Sequence, residues 1–394
     1  MAHWLTLDEA KQRLGVRPQT IYAYVSRGRI GVSPDPEDSR RSLYRAEDVD
    51  RLMQRKATGR TRETLASTTL FGAEPSIPTA LSTFAGGRLY YRGVDAVHLS
   101  ATASLEYAAR LLWGVDPVPA FGADADGASP LPPGRQRAFV ELAALTAKGL
   151  STRGRVTRVL VDEAASLVGR LATAFGASHE ASLPLHERFA RGWGVPRTVA
   201  PLLRRTLVLL ADHEVTSSAL SSRITASTGA SLPACLLTGL ATFSGPLHGD
   251  ASGRVRTLFD EVERDGADAV VDRYLAAGLP IPGFGHPIYP DGDPRAAALM
   301  AEFNPPAPYA RLIERVVALT GLAPTIDVAL ATLAARYRLP ADAAFALFAT
   351  ARSVGLLAHS IEQLGEPAVI RPRGRYTGPT DGLAEPVRRT RRRR

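Results

Sequence analysis

The chain has 394 residues, of which 45% are hydrophobic and 22% are charged, the balance of an ordinary soluble protein. This length allows two or three domains, and no apolar run approaches the roughly 20 residues that a membrane span needs. The N-terminus carries charges every few residues, and Cys235 is the single cysteine. We therefore expect a cytoplasmic protein with no secretory signal, no membrane segment and no intramolecular disulfide.

The net charge of +9 is concentrated at the two ends of the chain. Residues 1–64 hold 13 Lys and Arg against 9 Asp and Glu, and residues 381–394 form a basic tail with six arginines. Basic arms are typical of contacts with nucleic acid. A solvated end without a partner is the alternative for the tail, and the sequence leaves both open.

Residues 1–55 have the pattern of a small helix-turn-helix domain. Thr6 and Glu9 have the spacing of a capping box at the start of a first helix, and Gly15 ends that helix. Pro18 suits the first turn of a second helix, and a short turn with glycine between two helices is the helix-turn-helix arrangement.

A β-hairpin, or wing, is predicted to follow the second helix. Alternating apolar residues lead into a turn rich in Pro, Asp and Ser, and the chain returns through Ser42–Tyr44 before a third helix over Ala46–Arg55. The segments LTLDEAKQRLGV, QTIYAYVSRGRI and RRSLYRAEDVDRL together resemble a MerR/excisionase-type winged helix.

That resemblance implies that the second helix enters the major groove of DNA and that the wing contacts phosphate. The candidate DNA-contacting residues are Gln19, Thr20, Tyr22, Tyr24, Arg27, Arg40 and Arg41. A module kept only for protein contacts or dimer geometry is the alternative, and the modest positive charge does not decide between them.

Residues 56–68 lack apolar periodicity and are predicted to be a linker. From residue 69 to about 380 the chain is mainly α-helical, because Ala, Leu and Val recur at helical spacing with Gly or Pro at the breaks. Residues 81–93 form the one good hairpin pattern, and residues 122–134 are expected to be a surface loop.

Three histidines stand in unusual surroundings: His213 in ADHEVTSS, His248 in SGPLHGDAS and His286 in PGFGHPIYPDGDPRA. Their spacings match no common zinc-ligand pattern, so no metal is expected. The sequence also lacks the GxSxG elbow of serine hydrolases and the glycine-rich loops that bind phosphates.

Charged residues farther along the chain complete the candidate set: Arg295, Asp327, Arg352 and Arg371. Arginine forks suit the carboxylates of a small polyanionic acid. A carboxylate and neutral imidazoles suit general acid–base chemistry.

Several motifs in the correct order resemble the citrate synthase family over about 300 residues. They are LYYRGVDAVHLSATASLEYAARLLWG, HE followed by SSRITASTGASLPACLLTGLATFSGPLHG, GFGHPIYPDGDPRA, TIDVAL and ARSVGLLAHSIEQLGEPAVIRPRGRYTG. The resemblance implies a mainly α fold with a large subdomain, residues 69–252 and 341–380, and a small subdomain, residues 253–340.

The resemblance also implies the role of each candidate residue. Asp327 would take the proton from the α-carbon of an acyl-CoA, His248 would stabilise the resulting enol, and His286 would protonate the carbonyl oxygen of a 2-oxo acid. The carboxylates of that acid would be held by His213, Arg295, Arg352 and Arg371.

Coenzyme A enters this chemistry as the thioester substrate, and no cofactor is implied. The family resemblance implies a homodimer or higher homo-oligomer in which Arg371 reaches into the partner's site. Thr216 stands where the family commonly has Asn, and Pro287 stands where it often has Arg. The second departure leaves the CoA phosphates to another arginine, such as Arg254.

Two functions remain open at this point. The first is an enzyme that condenses acetyl-CoA with oxaloacetate to give citrate, or propionyl-CoA to give 2-methylcitrate. The second is a transcriptional regulator that uses the synthase fold to sense a metabolite. The complete set of His248, His286 and Asp327 favours the enzyme, and the winged helix favours the regulator.

Overall fold

The structure is a computed structural model that describes residues 4–16, 18–26, 30–35, 38, 41–58, 77–117, 120–122 and 129–372. Contacts divide the chain into two units, one formed by residues 1–76 and 372–394 and the other by residues 77–371. Residues 59–68 of the predicted linker and the whole predicted basic tail lie outside the described residues.

The first unit contains the predicted helix-turn-helix. Its elements are β1 (Trp4–Leu5), α1 (Leu7–Leu14), α2 (Pro18–Ser26), β2 (Val32–Pro34), β3 (Ser42–Arg45) and α3 (Ala46–Thr58). The capping box of Thr6 and Glu9 is confirmed, and Gly15 ends α1 in the left-handed region at φ 59°. Helix α3 extends into the first three residues of the predicted linker.

A small sheet and an apolar cluster hold this unit together. The wing is an antiparallel pair in which Val32 lies opposite Tyr44, and β1 joins the other edge of β3. Ile21, Tyr44 and Val49 lie in the buried cluster that these elements share. The hairpin is therefore as the sequence predicts, and Ile21 lies on the inward face of α2.

The second unit is mainly helical, as predicted. Its strands are β4 (Ser82–Ala85), β5 (Arg88–Tyr91) and β6 (Val94–Asp95). Its helices are α4 (Ala96–Ser100), α5 (Leu105–Trp113), α6 (Arg135–Lys148), α7 (Thr157–Ala174), α8 (Leu185–Gly192), α9 (Ala200–Leu209), α10 (Ser217–Ser227), α11 (Leu232–Phe243), α12 (Ala251–Asp265), α13 (Ala267–Ala276), α14 (Pro294–Met300), α15 (Ala307–Thr320), α16 (Ile326–Tyr337) and α17 (Ala343–Leu364), with a short 3₁₀ turn at Arg197–Val199.

The hairpin predicted over residues 81–93 is confirmed. Ser82 pairs with Tyr91 and Ala85 with Arg88. The two residues between the strands, Gly86 and Gly87, have φ of 55° and 73°. A two-residue turn of this kind requires positive φ at both positions, which glycine adopts without strain.

Buried apolar side chains of the second unit form two clusters. The larger is built from most of the helices, and the smaller lies among α12, α13, α15 and α16. Helix α16 belongs to both, since Ile326 and Leu330 pack in the larger cluster while Val328 and Ala331 pack in the smaller. The first turn of α16 therefore lies where the two clusters meet, and the subdomain limits at 253 and 340 remain a prediction.

Helix α17 runs through the larger cluster. By length and composition alone Ala343–Leu364 could cross a membrane, but 89% of its most apolar window is buried inside the fold. Cys235 on α11 is also fully buried. Both observations fit positions in the core.

Candidate active site

His213 lies in a tight turn between α9 and α10. The next residue, Glu214, has a φ of 63°, and its N–H donates to the Ser82 hydroxyl at 2.9 Å. The His213 ring is buried, and its Nε2 lies 3.0 Å from the Tyr289 hydroxyl. Burial lowers the pKa of His213 well below its ordinary value, and nearby positive charges lower it further, so the ring is neutral at pH 7.

His248 lies in the turn that joins α11 to α12. Its Nε2 is 2.8 Å from the Ser218 hydroxyl, which is in turn 3.1 Å from the Thr216 hydroxyl. Burial, followed by the charge of Arg352, lowers the pKa of His248 to about 4. Thr216, which stands where the family commonly has Asn, is therefore linked to His248 through the Ser218 hydroxyl.

The end of the His248 turn is tied to α6 by an ion pair. Arg135 donates from both terminal nitrogens to Asp250 at 2.8 Å each. The same guanidinium lies 3.8 Å from the centre of the Phe345 ring at the start of α17. A fork-to-carboxylate pair of this kind fixes direction as well as distance, so it limits how far the His248 turn moves.

His286 lies in a loop that pairs with the residues before α16. Gly285 N–H donates to the Ala323 carbonyl at 2.9 Å, and Thr325 N–H donates to the Gly283 carbonyl at 2.8 Å. His286 Nδ1 accepts the Ile288 N–H at 3.1 Å. Because a backbone amide only donates, Nδ1 of the neutral ring has no proton and Nε2 carries it.

Asp327 lies in the first turn of α16, where the two apolar clusters meet. The Thr325 hydroxyl lies 3.3 Å from Oδ2, whereas Oδ1 is buried without a partner among the described residues. Burial raises the pKa of Asp327 to about 6, although the charge of Arg295 opposes that rise. A carboxylate with this pKa is suited to act as a base near neutral pH.

The two buried arginines of the candidate set differ in how their guanidinium groups are used. Arg295 donates from Nε and Nη2 to Asp293 at 3.0 and 2.9 Å. Arg352 donates from Nε to the Leu210 carbonyl at 3.1 Å, and its buried Nη2 has no partner among the described residues. Arg352 therefore has a buried N–H group without a described partner, whereas Nε and Nη2 of Arg295 are already used by Asp293.

The structure brings most of the predicted residues together. The rings of His213 and His286 are 5.8 Å apart, and Arg295 lies 5.3 Å from the ring of Tyr289. Arg352 and His248 both lower the pKa of His213, and Arg295 lowers the pKa of Asp327. Arg371 is the exception, since it is exposed near the end of the described chain and has no described ion pair.

Sequence reasoning missed Tyr289, Ser218 and Asp293. Tyr289 contacts the rings of His213, His286 and Phe84, and Asp293 occupies the fork of Arg295. Tyr289 and Asp293 lie in the same GFGHPIYPDGDPRA segment as His286. Their proximity in the sequence to His286 and Arg295 is the signal that could have identified them.

Part of the predicted DNA-contacting set lies on the described surface of the first unit. Tyr22 is 53% exposed, Arg41 is exposed, and Thr20 and Tyr24 are half-buried. Arg27, Arg40 and the side chain of Gln19 lie outside the described residues. In the described part of the chain, no group of three or more His, Cys, Asp or Glu residues could hold a metal ion.

Two sequence models of protein families match the chain. The model for a helix-turn-helix domain matches residues 4–57, and the model for the citrate synthase C-terminal domain matches residues 72–373. The second match covers well over half of the chain. The chain belongs to the citrate synthase family.

Curated relatives agree with this membership. A citrate synthase of Haloferax volcanii is 35% identical over 193 residues, which are 46% of this chain and 51% of that protein. A putative citrate synthase 2 of Mycobacterium bovis is 34% identical over 193 residues, 46% of this chain and 52% of that protein. The chain thus spans about half the length of the curated relatives it matches.

Solved structures show the citrate synthase fold over most of the chain. The citrate synthase of Thermotoga maritima superposes with a TM-score of 0.67 at 24% identity, covering 82% of this chain and 99% of that one. The Thermoplasma acidophilum citrate synthase, in a ternary complex with carboxymethyl coenzyme A and oxaloacetate, gives 0.65 at 21% identity, covering 81% and 98%.

Proposed function

We propose that the protein condenses an acyl-CoA, acetyl-CoA or propionyl-CoA, with oxaloacetate to give citrate or 2-methylcitrate and free CoA. The observation that carries the proposal is that the charge of one buried arginine, Arg295, lowers the pKa of both Asp327 and His213, so the buried base lies near the residues that would hold the 2-oxo acid. The names of the curated relatives support the same reaction.

The first step is removal of a proton from the α-carbon of the acyl group by Asp327. With a pKa of about 6, Asp327 is ionised at neutral pH and is a stronger base than an ordinary carboxylate. The thioester α-proton remains far less acidic than this, so the enolate must be stabilised as it forms by a donor placed at its oxygen.

His248 would be that donor. In the proposed arrangement the Ser218 hydroxyl donates to Nε2, so the neutral ring carries its proton on Nδ1 and offers it to the thioester oxygen. The pKa of about 4 keeps the ring neutral throughout the working range.

The second step joins the enol carbon to the carbonyl carbon of the 2-oxo acid. His286 Nε2 carries a proton and would deliver it to the carbonyl oxygen, which becomes the hydroxyl of the product. The proton that Asp327 removed from the α-carbon would return to His286 through water, so both residues regain their starting protonation. Hydrolysis of the thioester then consumes one water and releases CoA as a thiol.

Arg352, His213 and Arg295 would hold the carboxylates of the oxo acid, with Arg352 contributing its free Nη2. Arg371 would act from the partner subunit of a homodimer, which agrees with its exposure here. Arg254 is exposed and close enough to influence Asp327, so it would serve the CoA phosphates in place of the missing arginine at Pro287.

A thiol-release assay tests the proposal directly. Purified protein is mixed with acetyl-CoA or propionyl-CoA, with and without oxaloacetate, and the free thiol is followed by a thiol-reactive chromophore. We expect release that requires oxaloacetate and is lost in Asp327→Asn. Equal release without oxaloacetate would indicate a thioesterase, and no release with either acyl-CoA would contradict the proposal.

We further propose that the helix-turn-helix unit binds DNA, with Tyr22 and Arg41 among the contacting residues. Their exposure and the family match support this role. Fluorescence anisotropy with random duplex DNA at low and physiological salt is the test, because phosphate contacts are strongest at low salt. DNA binding together with oxaloacetate binding but without thiol release would favour the metabolite-sensing regulator.

A further inference from the structure

A buried carboxylate lies directly beside the 2-oxo acid residues but has no part in the proposed steps. Asp212 precedes His213 and is fully buried. Its Oδ2 accepts a hydrogen bond from the Ser82 hydroxyl, and its Oδ1 lies 3.4 Å from Nε2 of His359. That distance is longer than a good hydrogen bond, but neither atom has another partner among the described residues.

The orientation of His359 is set from its other side. Arg223 Nη1 lies 3.4 Å from His359 Nδ1, and a guanidinium only donates. Nδ1 is therefore the acceptor, and Nε2 is the ring nitrogen that donates toward Asp212. Arg223 is itself held by Gln363 at 3.0 Å and by Glu362.

One face of α17 brings these groups against the turn before His213. Arg352, Gly355 and His359 follow at helical spacing on that face. Gly355 N–H donates to the Ala211 carbonyl at 3.1 Å, and a Cβ at Gly355 would lie 2.3 Å from Asp212 Oδ1. Only glycine allows this approach, so the helix and the turn are in direct contact at Asp212.

The charge of Asp212 acts on Arg352 without an ion pair. Arg352 is fully buried, and burial lowers its pKa, while the charge of Asp212 is the largest effect that opposes this change. Asp212 keeps its oxygens on Ser82 and His359, so the Nη2 of Arg352 stays free. Arg295 shows the contrasting arrangement, because its Nε and Nη2 form a direct ion pair with Asp293.

We infer that Asp212 and His359 are positioning residues of the 2-oxo acid site. Asp212 fixes the turn that carries His213 and supplies the counter-charge for Arg352, and His359 holds Asp212 away from the guanidinium. This inference rests on the proposed function for the identity of the ligand, whose carboxylate takes the free N–H of Arg352.

The test compares oxaloacetate binding in variants that keep side-chain size. Asp212→Asn removes the charge but can still accept from Ser82, and we expect the calorimetric Kd for oxaloacetate to rise about 10- to 100-fold, the range for a weakened charge-assisted hydrogen bond. His359→Gln keeps an N–H donor and should stay within about 3-fold of the parent, whereas His359→Leu should resemble Asp212→Asn.

Ser360→Ala is the matched control. Ser360 is the next residue on α17 and is equally buried, but its hydroxyl donates to the Leu356 carbonyl of its own helix. Its Kd should equal that of the parent even if its melting temperature falls. A purely structural role for Asp212 would lower the melting temperature and leave Kd and KM unchanged.

The outcomes separate the inference from the proposed function. A parent protein that binds oxaloacetate but releases no thiol contradicts the proposed reaction, and the positioning role is then judged on Kd alone. An unchanged Kd in Asp212→Asn, or equal effects of Gln and Leu at His359, overturns the inference. A parent that binds no oxaloacetate overturns both.

Discussion

The two walls of the candidate site each contribute a charged group that has a buried polar atom without a partner among the described residues, and the two groups have opposite charge. On the wall formed by the His213 turn and α17, the atom is Nη2 of Arg352. On the wall formed by the His286 loop and the start of α16, the atom is Oδ1 of Asp327. We call these the arginine wall and the aspartate wall.

An unpartnered buried polar atom costs stability, so its persistence usually has a functional reason. If Arg352 and Asp327 were paired with each other, each would neutralise the charge that the other needs for its own task. In the proposed mechanism, their placement on separate walls keeps a cation for the oxo acid and a base for the acyl group. We therefore predict that substitutions on the two walls change different kinetic parameters, kcat on the aspartate wall and KM on the arginine wall.

The largest expected effect is on the aspartate wall. Asp327→Asn removes the base, and kcat should fall at least ~10²-fold, the usual cost of losing general-base catalysis. Calorimetric affinity for oxaloacetate should stay within about 2-fold, because that ligand is held by groups other than Asp327. Asp268→Asn, an exposed carboxylate on α13, is the control and should leave both values unchanged. Wild-type turnover in Asp327→Asn would remove Asp327 from the mechanism.

A substitution on the arginine wall should change the KM for oxaloacetate. Arg352→Lys keeps the positive charge but loses the planar group that presents Nη2, so KM for oxaloacetate should rise about 10-fold. Steady-state kinetics at saturating acyl-CoA measures this change. If calorimetry gives the Lys variant the affinity of the parent, Arg352 is a structural residue.

Arg295→Lys is the informative comparison for that variant. The substitution keeps the positive charge but loses the bidentate hydrogen bonding to the buried Asp293, and a hydrogen bond to a charged group contributes about 1.5–3 kcal/mol of stability. We expect a clear fall in melting temperature and a smaller change in KM than in Arg352→Lys. The reverse pattern would assign the substrate-holding role to Arg295.

The pH profile tests the aspartate wall without a substitution. Asp327 acts as a base only when ionised, and its pKa is raised to about 6 by burial, so activity should be lost as the pH falls through this value. The value of kcat/KM should decrease about 10-fold between pH 7 and pH 5, following the ionised fraction of one group. A profile that stays flat to pH 5 would show that the base has an ordinary carboxylate pKa or is another residue.

Much of the candidate site could be predicted from the sequence, because the neighbouring residues in each motif determine the local structure around the functional residue. His248, His286 and Asp327 each lie in a short segment whose glycines, prolines or helix start can be recognised in the sequence. The fold of the second unit was predictable for the same reason, since its helical spacing and its hairpin are local patterns.

The contacts between distant segments could not be predicted from the sequence. Asp212 and His359 meet only because Gly355 lets α17 approach the His213 turn, and neither residue stands out in its own segment. The different hydrogen bonding of the Arg295 and Arg352 guanidinium groups could not be predicted from the sequence either. Both belong to clear motifs, but only the folded arrangement shows that Asp293 binds Nε and Nη2 of Arg295, whereas Nη2 of Arg352 has no partner among the described residues.

The smallest expected effect concerns Thr216, where the sequence departs from the family's usual asparagine. Its hydroxyl lies 3.1 Å from that of Ser218, which contacts His248 at 2.8 Å. Thr216→Asn replaces a hydroxyl with an amide that can both donate and accept, so it changes the hydrogen bonding of Ser218 without touching Arg352 or Asp327. Because the change acts on the position of one donor, we expect kcat to shift only about 2- to 5-fold. The ratio of acetyl-CoA to propionyl-CoA use should change by a similar factor, since a pocket distinguishes one methylene by roughly 1–3 kcal/mol at most.

Competition between the two acyl-CoAs in one reaction measures this ratio directly. Thr228→Asn, which replaces a hydroxyl at the far end of α10, is the control. A ratio that stays constant while kcat changes would confine Thr216 to positioning His248, whereas a change of 100-fold or more would place it in the acyl pocket itself.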